Sequence, residues 1–329
     1  MKIKKEYIIL VLIIIGLSVY LFMRSSDRTH YQLPVLTGLN RGKITKIEIS
    51  KEGHSIILKK RDNRWYLEPK GYLADTDKVD SLLAVFENLS LAALVSESKD
   101  YQRYDLHAAR RITAKAWQED TLRRSLDIGK AAPSFRHTFV KLADDSRVYH
   151  ANDNFRSQFE QTPDSMRDRG VLSFKAGDIQ AVHVTQDQAS VELVRNEVSI
   201  ESAAPQPEKP ETTPPAAAKF EWQDRNGKKA NDQNLNRLLT TLGSLQCSAY
   251  IDDRNKDSFK EPIYTVRLNG IQEHRLDIFA KLEKDAEDYP ATSTGSNYPF
   301  VLSASQAQQI MKDPTEFLQK EKNEKEGSK

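Results

Sequence analysis

Residues 74–89 read ADTDKVDSLLAVFENL, and residues 230–245 read ANDQNLNRLLTTLGSL. Both stretches place a residue that favours helix N-termini, Asp75 or Asn231, directly after an alanine. Such side chains accept hydrogen bonds from the free N–H groups of the first helical turn. The apolar residues that follow recur at helical spacing on one face. The pattern predicts the same amphipathic helix twice, and hence a duplicated structural unit.

The segments around the two helices agree in order as well as in type. Three strands are predicted before the first helix, at residues 44–49, 55–58 and 64–67. Four more are predicted after it, at residues 112–117, 122–128, 138–142 and 147–149. A helical stretch at 154–159 follows them. Residues 179–184 and 189–194 repeat the first two strands, and we align Trp222 with Tyr66. Further on, residues 276–278 repeat the Leu-Asp-Ile of residues 126–128. Short turns between neighbouring strands favour antiparallel pairing.

The predicted fold class is therefore α+β: an N-terminal transmembrane helix followed by two related lobes, each a mainly antiparallel sheet with a packed helix. A chain of 329 residues is long enough for two domains. We predict an anchor over residues 1–25, a first lobe over 32–178 and a second over 179–322. A proline-rich stretch at 197–219 predicts an extended insertion in the second lobe, and residues 323–329 predict a disordered tail.

The N-terminus carries the clearest location signal. Tyr7 to Met23 is a run of seventeen uncharged residues that follows three lysines. As a helix it would be about 26 Å long, near the lower limit for crossing a bilayer. We predict an uncleaved single-pass anchor in the bacterial inner membrane, with the lobes facing the periplasm or exterior. A cleaved signal peptide and a buried core helix are the alternatives.

Overall charge and cysteine content narrow the function classes. Lysine and arginine (49) nearly balance aspartate and glutamate (47), so the chain lacks the concentrated positive charge that binds nucleic acid. We therefore predict no nucleic-acid partner. The single cysteine, Cys247, lies on the apolar face after the second helix and is predicted to be a small core side chain.

Motifs for catalysis are not recognisable, so we predict no catalytic, cofactor or metal residues and no enzymatic activity. His137 and His150, on adjacent predicted strands, are the best pair for a metal site assembled from distant segments, as an exported hydrolase would require. Asp127 and Asp277 recur in the two lobes. Alternation along the strand predicts that both carboxylates face water.

Three aromatic residues are the candidate binding residues. Trp65, Tyr66 and Trp222 lie at matching places in the two lobes and could line a groove between them. Strand tryptophans also often pack on a nearby helix, so a core role is the alternative.

Several motifs together resemble a known family. They are the Ile-x-x-Ile-x-Ile strand from Ile44, Arg64-Trp65-Tyr66-Leu67, the helix entry from Ala74 to Leu83, Tyr104-Asp105-Leu106 and Leu126-Asp127-Ile128-Gly129. With the apolar N-terminus, they resemble the bacterial family catalogued as domain of unknown function 4340, over residues 40–195 and more loosely beyond. Family members usually have glycine where this chain has Asp105. The resemblance implies a membrane-anchored protein associated with ABC-type transport systems of the gliding-motility kind.

Two functions are consistent with these features. The first is a non-enzymatic, membrane-anchored accessory or binding component of an ABC-type transport or envelope system, which would contact a permease or an ATPase subunit. The second is an envelope structural protein that binds glycan or protein independently of a transporter.

Overall fold

The computed structural model describes residues 5–24, 31–198, 219–283 and 285–320. Within the first helix it describes the side chains of residue 9 and of residues 11–20. The chain divides into two compact units, unit 1 (Met1–Asp168) and unit 2 (Arg169–Lys329). The predicted tail at 323–329, and residues 199–218 of the predicted insertion, lie outside the described residues.

The apolar N-terminal run forms helix α1 (Lys5–Arg24). Across the part of the chain that the structure describes, no helix has both the length and the apolar character needed to cross a membrane. The predicted transmembrane helix over residues 7–23 is therefore not confirmed, although a helix is present at that place.

Unit 1 is built on one antiparallel sheet with a helix packed on it. Its elements after α1 are β1 (Lys46–Lys51), β2 (His54–Arg61), β3 (Arg64–Glu68), β4 (Tyr72–Leu73), α2 (Thr76–Asn88), β5 (Leu91–Ser96), β6 (Ile112–Gln118), β7 (Thr121–Ala131), β8 (His137–Leu142), β9 (Val148–Asn152) and α3 (Arg156–Phe159). The strand order is β4-β3-β2-β1-β6-β7-β8-β9-β5.

The predicted start of α2 is confirmed. The Asp75 carboxylate accepts a hydrogen bond of 3.1 Å from the backbone N–H of Lys78, as an N-cap residue does. The apolar face of α2 packs on the inner side chains of the sheet, which alternate with outward-facing ones along each strand. Val79, Leu82 and Phe86 are fully buried there.

Unit 2 has a larger sheet and a small two-stranded one. Its elements are β10 (Gly170–Ser173), β11 (Ile179–Gln186), β12 (Ala189–Val198), β13 (Lys219–Gln223), α4 (Asp232–Gly243), β14 (Ser244–Gln246), β15 (Ala249–Tyr250), β16 (Tyr264–Gly270), β17 (His274–Ile278), β18 (Tyr289–Ser293), β19 (Phe300–Leu302) and α5 (Ala304–Ile310). The larger sheet has the order β13-β12-β11-β16-β17-β18-β19-β15, and β10 pairs with β14.

The two larger sheets share one connectivity. Leaving out the edge strand β4, the first reads 3-2-1-6-7-8-9-5 and the second reads 13-12-11-16-17-18-19-15. In unit 1, helix α2 follows β3 and the short β4; in unit 2, helix α4 follows β13. Neighbouring strands pair antiparallel in both sheets. The chain is thus an α+β protein of mostly antiparallel sheet, as predicted.

The division between the units differs from the sequence-based boundary. The sequence places the boundary between residues 178 and 179, whereas the structure places it between Asp168 and Arg169. The reason is β10, a short apolar strand that pairs with β14 of unit 2. Four residues without a clear alternating pattern give too little signal to assign this strand from sequence.

Candidate functional site

The two candidate tryptophans belong to the cores of their units. The Trp65 side chain is 6% exposed and lies in the core under α2. Trp222 is partly buried and packs on the core of unit 2. The alternative prediction, that strand tryptophans pack on the nearby helix, therefore describes Trp65 well.

The alignment of Trp222 with Tyr66 is wrong by one residue. The backbone N–H of Ala74 donates to the Trp65 carbonyl at 2.9 Å, and that of Ala230 donates to the Trp222 carbonyl at 2.8 Å. Trp222 is thus the counterpart of Trp65. The sequence alone could not align these two strands to the residue, because the loops before the two helices carry no shared motif.

Tyr66 points away from this core and remains half-buried. The guanidinium carbon of Arg61 lies 5.4 Å from the centre of its ring, within cation–π range. Trp65 and Tyr66 belong to unit 1 and Trp222 to unit 2. A binding site shared by the three residues stays a prediction.

The prediction that Asp127 and Asp277 face water is wrong, since both carboxylates are held by neighbouring strands. Asp127 is 8% exposed. It accepts a 2.7 Å hydrogen bond from the Thr113 hydroxyl, and the Lys141 ammonium lies 3.0 Å away. Alternation gave the correct face of the sheet, but it could not show that the partners on β6 and β8 would cover the carboxylate.

Asp277 has an equivalent arrangement in unit 2. The Thr265 hydroxyl donates to it at 2.7 Å, and Arg275 Nε lies 2.7 Å from its second oxygen. In each unit a threonine from the preceding strand and a cation surround the aspartate. These carboxylates are engaged in ion pairs and serve to join strands.

His137 and His150 do come together, as their positions on adjacent strands predict. Their rings stack with centroids 5.3 Å apart, and Phe139 lies 4.7 Å from His150. Burial, and then the neighbouring His137, lower the pKa of His150. Among the described residues, no group of three or more His, Cys, Asp or Glu side chains could hold a metal ion.

Cys247 is a buried core residue, as predicted. It is 6% exposed and packs in the core of unit 2. Burial raises the pKa of its thiol, which favours the protonated form.

A groove in unit 1 involves residues that the sequence did not single out. The extended segment of residues 31–40 lies along unit 1, with Leu33, Leu36 and Leu39 packed against the core. Arg124 holds this segment through hydrogen bonds to backbone carbonyls. Its guanidinium donates to the Phe86 carbonyl at 2.9 Å, near the end of α2, and to the Thr37 carbonyl.

The groove itself lies between this segment, the start of β7 and the β8–β9 turn. It encloses about 740 Å³ and is lined in part by Val35, Leu122, Arg123, Asp144 and Arg147. Segment 31–40 has neither strand nor helix periodicity, which is why sequence patterns missed it.

One wall of the groove is a rigid ion pair. Arg147 donates to both oxygens of Asp145, at 3.0 and 2.8 Å. The Tyr149 hydroxyl donates to the same carboxylate at 2.6 Å. The hydrogen bonds from Arg147 hold the pKa of Asp145 well below its usual value, and burial raises the pKa of Tyr149. Asp145 is therefore ionised and fully engaged in this wall.

Comparison with known proteins gives one match. A family model described as Domain of unknown function (DUF4340) matches residues 65–262, which is more than half of the chain. The chain belongs to this family. No curated protein and no solved structure matches it.

The DUF4340 match runs from β3 of unit 1 to the residues just before β16 of unit 2. It therefore reaches further into unit 2 than the resemblance in the sequence motifs, which is strongest over residues 40–195. In the Tyr104-Asp105-Leu106 motif, Asp105 has a φ of 55° and a ψ of 33°. This is the left-handed conformation that favours glycine, and aspartate is among the other residues that tolerate it best.

Proposed function

We propose that the chain is a non-enzymatic, membrane-anchored accessory or binding component of an ABC-type transport or envelope system. In this proposal α1 is a single-pass anchor in the bacterial inner membrane. Units 1 and 2 face the periplasm or exterior and bind a partner.

The observation that carries the proposal is the exposure of α1. Its described large apolar side chains are between 52% and 63% exposed; they are Ile9, Val11, Leu12, Ile13, Ile14, Ile15, Leu17, Val19 and Tyr20. Soluble proteins rarely expose a continuous apolar surface of this extent, and such surfaces mark contact with protein or lipid. The apolar side chains among residues 11–20 surround the helix on all sides, which favours lipid as the surrounding medium.

The short connection after α1 supports an anchor that also positions unit 1. Arg24 ends the helix, and Gln32 already belongs to the segment packed on unit 1. Eight residues of backbone span at most roughly 29 Å. Unit 1 is thus held within a short distance of the helix end.

The transport partner is supported by the family resemblance alone. The two sheets offer polar outer faces whose carboxylates, such as Asp127 and Asp277, are already paired with neighbouring cations. Such faces suit the binding of a folded partner better than they suit acid–base catalysis, which needs a carboxylate free to exchange protons.

Affinity purification from native membranes in mild detergent tests the proposal. The full-length tagged chain is expected to recover an ABC-type permease or its ATPase, identified by mass spectrometry. A tagged single-pass protein of unrelated sequence, expressed at the same level, is the control. Repeated recovery of the chain without either subunit would contradict the transport assignment, and recovery of glycan-bearing material instead would favour the envelope-binding alternative.

A further inference from the structure

The groove between segment 31–40, β7 and the β8–β9 turn has an apolar rim that the fold of unit 1 leaves uncovered. Val35 is 96% exposed, although Leu33 and Leu36 on either side pack against the core. Leu122, which lines the same groove, is 47% exposed at the start of β7. Two large aliphatic side chains thus project into the surroundings at one end of the sheet.

We infer that this rim lies in the headgroup layer of the bilayer that holds α1, with Val35 and Leu122 inserted among the lipids. The inference rests on the proposed anchor. It adds a second membrane contact, made by unit 1 itself.

The position of the rim along the chain supports lipid as the partner. Gln32, at the start of the groove lining, is eight residues after the last residue of α1. This length permits the groove to touch the surface from which the helix emerges, because an extended chain of that length reaches at most roughly 29 Å. The opposite end of the sheet is farther away, since β7 runs from Thr121 to Ala131 and rises about 3.3 Å per residue.

The charges beside the rim fit a zwitterionic headgroup. Arg123 and Asp144 are both exposed and line the groove. They supply one cation for a phosphate and one anion for an ammonium. Asp145 is bound to Arg147 and Tyr149, and Arg124 to two backbone carbonyls, so these charges already have partners and do not oppose the contact.

An apolar side chain at a membrane interface sits roughly 5–10 Å into the boundary between headgroups and acyl chains. A fluorescent label at such a site is therefore shielded from water and reached by quenchers attached to lipids. The same label on a side chain at the far end of the sheet is not. Phe135 provides this control, because it is 74% exposed in the connection between β7 and β8, at the other end of β7.

The experiment uses the full-length chain reconstituted into phosphatidylcholine vesicles. Three single-cysteine variants, Val35→Cys, Phe135→Cys and Val11→Cys, are made in a Cys247→Ala background and labelled with an environment-sensitive fluorophore. Quenching by aqueous iodide and by brominated lipid is then measured. Should Cys247→Ala fail to fold, the native thiol is kept, because at 6% exposure it labels slowly. Circular dichroism of each labelled chain checks the fold.

The inference predicts that the labels at Val11 and Val35 both emit at shorter wavelength, lose iodide quenching and gain quenching by brominated lipid. The label at Phe135 should stay open to iodide. A Val35 label that behaves like the Phe135 label, while the Val11 label is protected, would overturn the rim contact and leave the anchor intact. A Val11 label open to iodide would overturn the anchor and the rim contact together.

Discussion

Gly129 lies where the loop from Tyr104 to Leu106 crosses β7. A Cβ atom added at this glycine would clash with the Tyr104 carbonyl oxygen and crowd the Leu106 side chain. The loop in turn depends on the left-handed backbone of Asp105. This close approach explains why glycine follows Leu126-Asp127-Ile128 in the sequence.

We expect Gly129→Ala to lower the free energy of unfolding by about 2 kcal/mol or more, because the overpacked loop must move away from β7. Urea unfolding measures the effect. Gly38→Ala is the control, since no atom lies within 4 Å of its added Cβ. Equal stability of the two variants would show that the crossing is not tightly packed.

The lowered pKa of Asp145 makes the free energy of unfolding depend on pH. Its pKa is lowered in the folded chain, chiefly by hydrogen bonds from Arg147, so the ionised carboxylate stabilises the fold above the unfolded value of about 3.9. This contribution is lost as the pH falls below about 4. The stability difference between wild type and Asp145→Asn should therefore shrink as the pH is lowered from 7 to 3.

Asp144→Asn is the matched control for this titration. Asp144 neighbours Asp145 in sequence and is exposed. Its substitution should change stability little, because the side chain lies in solvent. A difference for Asp145→Asn that stays constant between pH 7 and pH 3 would contradict the depressed pKa.

At the scale of elements, strong periodicity was sufficient for α2, α4 and strands such as β1, β7 and β11. The N-caps Asp75 and Asn231 were also predicted correctly, because a cap is a local interaction. The short strands β4, β10, β14 and β15 were missed, since two to four residues carry no readable alternation. The longer strands β5, β16 and β18 were not predicted either. The burial of Asp127 was missed for a different reason: its partners lie on neighbouring strands, and register is a tertiary property.

Arg124 joins two elements that the sequence did not connect. Arg124→Gln should leave the carbonyls of Phe86 and Thr37 without their charged donor, at a cost of about 1–3 kcal/mol. We expect faster chymotryptic cleavage within residues 31–40 and a lower urea midpoint.

The neighbouring Arg123→Gln tests whether the effect belongs to the buried guanidinium. Arg123 is exposed, whereas Arg124 is 8% exposed. The control should be cleaved like the wild type. Equal cleavage of both variants would mean that segment 31–40 is held by its leucines alone.

At the scale of the whole molecule, two sheets of the same connectivity follow one apolar helix. The shared strand order extends over eight strands of each larger sheet described. It makes a duplicated unit the simplest origin of the chain, because independent segments would have to reach the same order of connections twice. The repeat also extends to side chains, since a threonine of the preceding strand donates to an aspartate at the same register in both sheets.

The central claim is that α1 anchors this pair of units in a membrane. Alkaline carbonate extraction of native membranes tests it most directly, because carbonate removes peripheral proteins and leaves membrane-spanning ones in place. We predict that the full-length chain stays in the membrane pellet together with an integral marker protein. Release of the chain into the supernatant with peripheral proteins would contradict the anchor.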